Sequence, residues 1–226
     1  WPPASSTAPF GRRDALRAGA ACFAAASLVG APRIASAALP LVGAPRGASA
    51  AAPLAVRVTT LELDGRPLCE ASWLEAQWAE VTRVLGGAGV ALGLKPLRSL
   101  PGANAEVATR ADRDAFAAAL EPRAVNAFVI ASLADVDEPG RMRKGVHWRP
   151  SGRADLHYVL IIASAPRGVL AHELGHFFGL AHSGVRDNLM SYARSEGGVL
   201  FLDRGQAARA RETARELAAK GELGPA

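Results

Sequence analysis

The sequence has only two cysteines in 226 residues, Cys22 and Cys69, too few for a disulfide framework. Acidic residues are slightly outnumbered and the formal charge is +5, but the excess is uneven. Arg12, Arg13, Arg17 and Arg33 against Asp14 supply +3 of it within the first 37 residues, leaving 22 basic and 20 acidic residues in the remainder. No basic stripe with interleaved aromatics follows, so no nucleic-acid partner is expected. No apolar run is long enough for a permanent membrane span. There is no D-x-[DN]-x-[DN]-G loop and no glycine–aspartate repeat, which leaves calcium undetermined. With 50% hydrophobic residues the chain suffices for one well-buried domain and a leader, but not for two typical domains, and a monomer is expected.

The leader is readable from its pattern. Arg12-Arg13-Asp14-Ala15-Leu16-Arg17, an Ala-rich apolar run from Ala18 to Gly30 and the small residues Ala35-Ser36-Ala37 have the layout of a secretory signal over residues 1–37. The paired arginines resemble a twin-arginine signal, with Ala15 replacing the usual apolar aromatic. Export to the periplasm or beyond is the expectation. Residues 38–53, rich in Ala, Pro and Gly, read as a flexible linker rather than a folded propeptide.

From Leu54 the pattern is that of a packed domain reaching residue 226. Val56, Val58, Leu61 and Leu63 suggest a strand, and Ser72 with Glu75 a capping box for a helix that buries Trp73, Leu74, Trp78, Val81 and Leu85 before Gly86-Gly87. Further strands are expected at Val90–Leu97, Val125–Ala131, Gly145–Trp148 and His157–Ala163, with a short helix at Asp112–Leu120. Asp203, three residues before Gln206, should cap a last helix running to about Lys220.

Histidine is also scarce, yet three of the five lie in the segment His172-Glu173-Leu174-Gly175-His176-Phe177-Phe178-Gly179-Leu180-Ala181-His182. On a helix, His172 and His176 are one turn apart on one face and can direct ring nitrogens at one ion. Gly179 can take the left-handed conformation that ends the helix and bring His182 to the same ion. Three neutral imidazoles leave a fourth zinc position open, as in catalytic rather than structural sites. Zinc acidifies water, and Glu173 beside it can act as general base, so the implied chemistry is amide hydrolysis.

H-E-x-x-H-x-x-G-x-x-H, followed by Asn188-Leu189-Met190-Ser191-Tyr192, resembles the metzincin zinc endopeptidases. The resemblance implies an α/β metzincin-like zincin fold. Its features are a twisted, mostly parallel sheet with an antiparallel edge strand, an active-site helix, and a small C-terminal subdomain ending in a helix. It implies one catalytic Zn2+ on His172, His176 and His182, with Gly179 at the turn, Met190 as an apolar floor and a protein or peptide as substrate. It assigns Tyr192 as zinc ligand or oxyanion stabiliser, and the edge strand Gly145–Trp148 as the element that pairs with an extended substrate. His147 and His157 are read as strand or surface histidines, and Cys69, outside any cysteine-switch pattern, as a small buried or free thiol. The pocket for the residue after the scissile bond is expected along Ser183–Leu189. The alternatives are an inactive zinc-containing binding module on a protease scaffold, a zincin with Glu196 as third ligand, and an amidase of cell-wall peptides.

Overall fold

The computed structural model describes residues 52–101, 105–153 and 155–226, all within one compact unit. The signal segment, Cys22 and nearly all of the linker lie outside the described residues. The elements that matter are the strands β1 (Leu54–Leu63), β2 (Arg66–Pro67), β3 (Leu92–Leu94), β4 (Arg98–Pro101), β5 (Glu106–Val107), β6 (Val125–Ile130), β7 (Ser132–Leu133), β8 (Gly145–Trp148) and β9 (Tyr158–Ile162). The helices are α1 (Ala71–Val81), α2 (Arg110–Ala115), α3 (Val169–Phe177) and α4 (Arg204–Ala219).

The main sheet runs β2-β1-β6-β9-β8, with β3 and β4 also pairing β1. β1, β3, β4, β6 and β9 are mutually parallel along their contacts, whereas β8 is antiparallel to β9 and forms the edge. This is a mixed α/β fold with a mostly parallel sheet and an antiparallel edge strand. Parallel strands covered on both faces are apolar throughout, and β6 and β9 are buried at nearly every position. Alternation divides them: Val125, Ala127, Val129, Val159 and Ile161 face a core shared with α1, α3 and α4. Phe128, Ile130, Tyr158 and Leu160 face the other core, with Phe116 and Trp148.

Three local readings change. The expected strand Val90–Leu97 is shorter, and a second strand follows at β4. Pro96 lies between the two and has no N–H to donate to a ladder. The first helix begins one residue before Ser72; Glu70 occupies the cap without a side-chain cap bond, and the Ser72 hydroxyl instead donates to the Glu70 carboxylate at 3.4 Å. Trp73 and Trp78 are only partly buried; Gln77 and Glu80 take the inner positions with Leu74 and Val81. The helix continues through a π-helical turn, Thr82–Gly86. Asp203 and Gln206 do form a reciprocal capping box, and Ala210, Ala214 and Leu217 of α4 reach the core.

Candidate metal centre and cleft

α3 begins at Gly168, which caps the helix without a side chain. The missing acceptor comes from α1: the Gln77 side-chain carbonyl accepts from Leu170 N–H at 3.2 Å, while its amide donates to the carbonyls of Ala165 and Pro166 at 3.1 and 3.0 Å. One buried glutamine therefore fixes where the helix starts. At the far end Gly179 adopts φ +80°, with Gly179 N–H on His176 O and Leu180 N–H on Gly175 O, both at 3.0 Å. This is the paired-bond ending of a helix with a left-handed residue, and it turns the chain back as the glycine required.

His172, His176 and His182 are brought together, with one ring nitrogen of each within 4.8 Å of the others. His172 Nδ1 is 2.7 Å from Leu189 O and His176 Nδ1 is 2.8 Å from Leu180 O. A carbonyl only accepts, so both Nδ1 atoms carry the proton and both Nε2 atoms present a lone pair. His176 Nε2 lies 3.0 Å from His182 Nε2. Burial lowers the pKa of His172 to about 4 and that of His176 below its usual range, which favours the neutral, ligating form. These residues fit a divalent metal ion.

Glu173, on the next position of the helix, is buried beneath the edge strand. Its carboxylate accepts from the backbone N–H of His147, and a Cβ on Gly145 would lie 2.8 Å from its Cγ. Burial pushes its pKa up to about 8, with the His147 hydrogen bond acting the other way; a cation at the triad would also lower it. Met190 is fully buried, and its Sδ would stand 2.4 Å from a Cβ at Gly175, so the glycine inside the helical motif makes room for the methionine. Tyr192 is 68% exposed, and its hydroxyl lies 2.8 Å from His182 Nε2.

No protein-family model matches the sequence, and no curated protein matches it significantly. Among solved structures the fold is similar to mature mirolysin of Tannerella forsythia, in complex with a cleaved peptide, with a TM-score of 0.56 and 13% identity over 79% of this chain and 100% of that one. It is also similar to metalloproteinase-II of Bacteroides fragilis, with a TM-score of 0.54 and 18% identity over 75% of this chain and 55% of that one. The chain thus spans about half the length of metalloproteinase-II. The chain has the fold of a metzincin-type metalloprotease.

Within this metzincin-type fold the triad lies between two hollows that share Arg143, Gly145, Glu173 and Tyr192. One, of about 460 Å³, lies toward His176 and His182; the other, of about 860 Å³, opens beside His172. The larger is bordered by Ser191, Tyr192, Arg194, Ser195 and Gly197–Leu200; of the stretch Ser183–Leu189, Leu189 supports the triad through its carbonyl. Among the described residues no helix is long and apolar enough to cross a membrane.

His147 and His157 form their own pair, Nε2 to Nδ1 at 2.8 Å, with His157 stacked on Phe177 at 3.9 Å between ring centroids. Asp155 is paired with Arg153, so no third donor completes a metal set there among the described residues. Cys69 is buried. The sequence places Gly145 on the edge strand but not against Glu173, and it singles out neither Gly175 nor Arg194, whose guanidinium donates to Leu189 O at 2.9 Å, the same oxygen that orients His172. Arginine four positions after the methionine was the one visible sign.

Proposed function

We propose that the chain is a zinc-dependent endopeptidase, with residues 1–37 as an export signal to the periplasm or exterior, 38–53 as a linker and 54–226 as the catalytic domain. The observation that carries the reading is three convergent imidazoles, two of them locked by backbone carbonyls, with a buried carboxylate beside them at the foot of an edge strand. His172, His176 and His182 hold the ion. Bound there, zinc supplies a Lewis acid that polarises a carbonyl and acidifies water.

The remaining work falls to the protein. Among the described residues β8 pairs only with β9, and an extended peptide can lie antiparallel along its other side. Glu173, held by His147 N–H, takes the proton of the attacking water and returns it to the leaving amine. Tyr192 places a hydroxyl on the solvent side of the triad, where it can donate to the oxyanion. Met190 and Gly175 form the apolar floor that keeps the imidazoles from shifting.

The test is metal content and peptide cleavage measured on the protein and on Glu173→Ala. Both should carry zinc, and hydrolysis should fall by about two to four orders of magnitude in the variant. Undiminished cleavage by the pure variant would sink the mechanism. Zinc in both with cleavage by neither would favour a binding module.

A further inference from the structure

The larger hollow beside His172 is basic. Its wall carries Arg83, Arg141, Arg143, Lys144, Arg167 and Arg194 against two carboxylates, Glu80 and Glu173. Two of the six are paired outside the wall, Arg141 with Glu138 at 2.7 Å and Arg143 with Asp135 at 2.6 Å. Arg83 and Arg167 share a single carboxylate, Glu80, at 2.6 and 3.2 Å. Arg194 places two nitrogens on the carbonyls of Asn188 and Leu189, at 2.5 and 2.9 Å, and the nearby Asp187 is itself taken up by Ser195. Lys144 has no ion pair among the described residues. Since Glu173 is the reacting group, four cations face one structural carboxylate.

The wall also carries apolar surface from Val169, Val199, Leu200 and Met142, beside the hydroxyls of Ser191 and Ser195. Such a hollow suits an aliphatic stem that ends in a negative charge. It opens at His172, Glu173 and Tyr192, so a residue adjoining the carbonyl held at the triad reaches it. We propose that this hollow selects a carboxylate-bearing residue next to the bond that is cleaved. The proposal rests on the endopeptidase reading. The carboxylate has two sources, an internal aspartate or glutamate side chain or the free C-terminus of a peptide, and the recognising chemistry is the same.

Arg167, with 61% of its side chain exposed, and the exposed Lys144 can be reversed without disturbing the core. The zinc-loaded full chain and its Arg167→Glu/Lys144→Glu variant are given quenched peptides that differ only in Glu, Gln or Lys beside the scissile bond. A further pair ends in a free carboxylate or an amide. The same peptides are titrated onto zinc-loaded Glu173→Gln protein, with and without the two reversals, which reads selectivity without turnover.

A carboxylate should improve kcat/KM and affinity about tenfold over its neutral counterpart. The advantage should shrink in about 0.5 M salt, and the double variant should prefer Lys. The Glu/Gln pair and the carboxylate/amide pair distinguish the two sources. Equal binding of charged and neutral peptides, or a preference unchanged by the reversals, overturns the proposal. Selective binding with no cleavage by the native protein sustains the selectivity and rejects the endopeptidase.

Discussion

Gly145 shows how much of the site is decided by a missing atom. A Cβ there would lie 2.8 Å from Glu173 Cγ and 3.0 Å from Oε1, with Val169 Cγ1 at 3.1 Å leaving little room to yield. Gly145→Ala should therefore displace the carboxylate while the three histidines stay in place. The expected outcome is unchanged zinc stoichiometry with kcat/KM lowered by about a hundredfold, checked by metal analysis and steady-state kinetics on one preparation. Equal losses of zinc and activity would mean that the glycine serves the fold rather than the carboxylate. His172, Glu173, His176, Gly179 and His182 were legible because spacing along a helix and a left-handed turn are properties of local sequence. Gly145, Gly175 and the Leu189 carbonyl were not, since each matters only through an atom brought to it from elsewhere in the chain.

The helix that carries the candidate metal site depends on another helix for its start. Gln77 on α1 gives an acceptor to Leu170 N–H and donors to two carbonyls of the preceding turn, all in a buried setting. Gln77→Leu would leave those groups without partners and is expected to cost about 1–3 kcal/mol, read as a lower urea midpoint with an unchanged slope. Loss of metal affinity should accompany it, because the first turn of α3 precedes His172 directly. A glutamine in a helix gives little such signal: its spacing from Trp73, Leu74 and Val81 puts it on the apolar face, and only packing shows which groups its amide reaches. Where both partners of a cap lie three residues apart, as for Asp203 and Gln206, the sequence sufficed. At Ser72 the same signature misled, since Glu70 offered the chain an earlier start.

Across the whole molecule, Glu121 ties the loop before β6 to the sheet through Arg57 of β1 and Lys95 after β3. Hydrogen bonds from Arg57 and then Lys95 hold its pKa down at about 2, below the ordinary value of 4.5. The sign follows: the stability it adds is complete above its unfolded pKa and is lost as pH falls toward the folded one. The difference in urea midpoint between the native protein and Glu121→Gln should thus be largest near neutrality and should narrow by about pH 3; a constant difference would assign the effect to packing. The succession of the main strands along the chain followed from apolar runs and the antiparallel edge from the resemblance, while the two-residue strands β2, β5 and β7 are too short to leave a pattern. All three candidate ligands come from one short contiguous segment, whereas the carboxylate between them is seated by an edge strand 26 to 28 positions upstream. Transplanting residues 172–182 into a foreign helical scaffold should accordingly carry over a metal-binding peptide and leave its catalysis behind; a designer who wanted both would have to graft the strand as well.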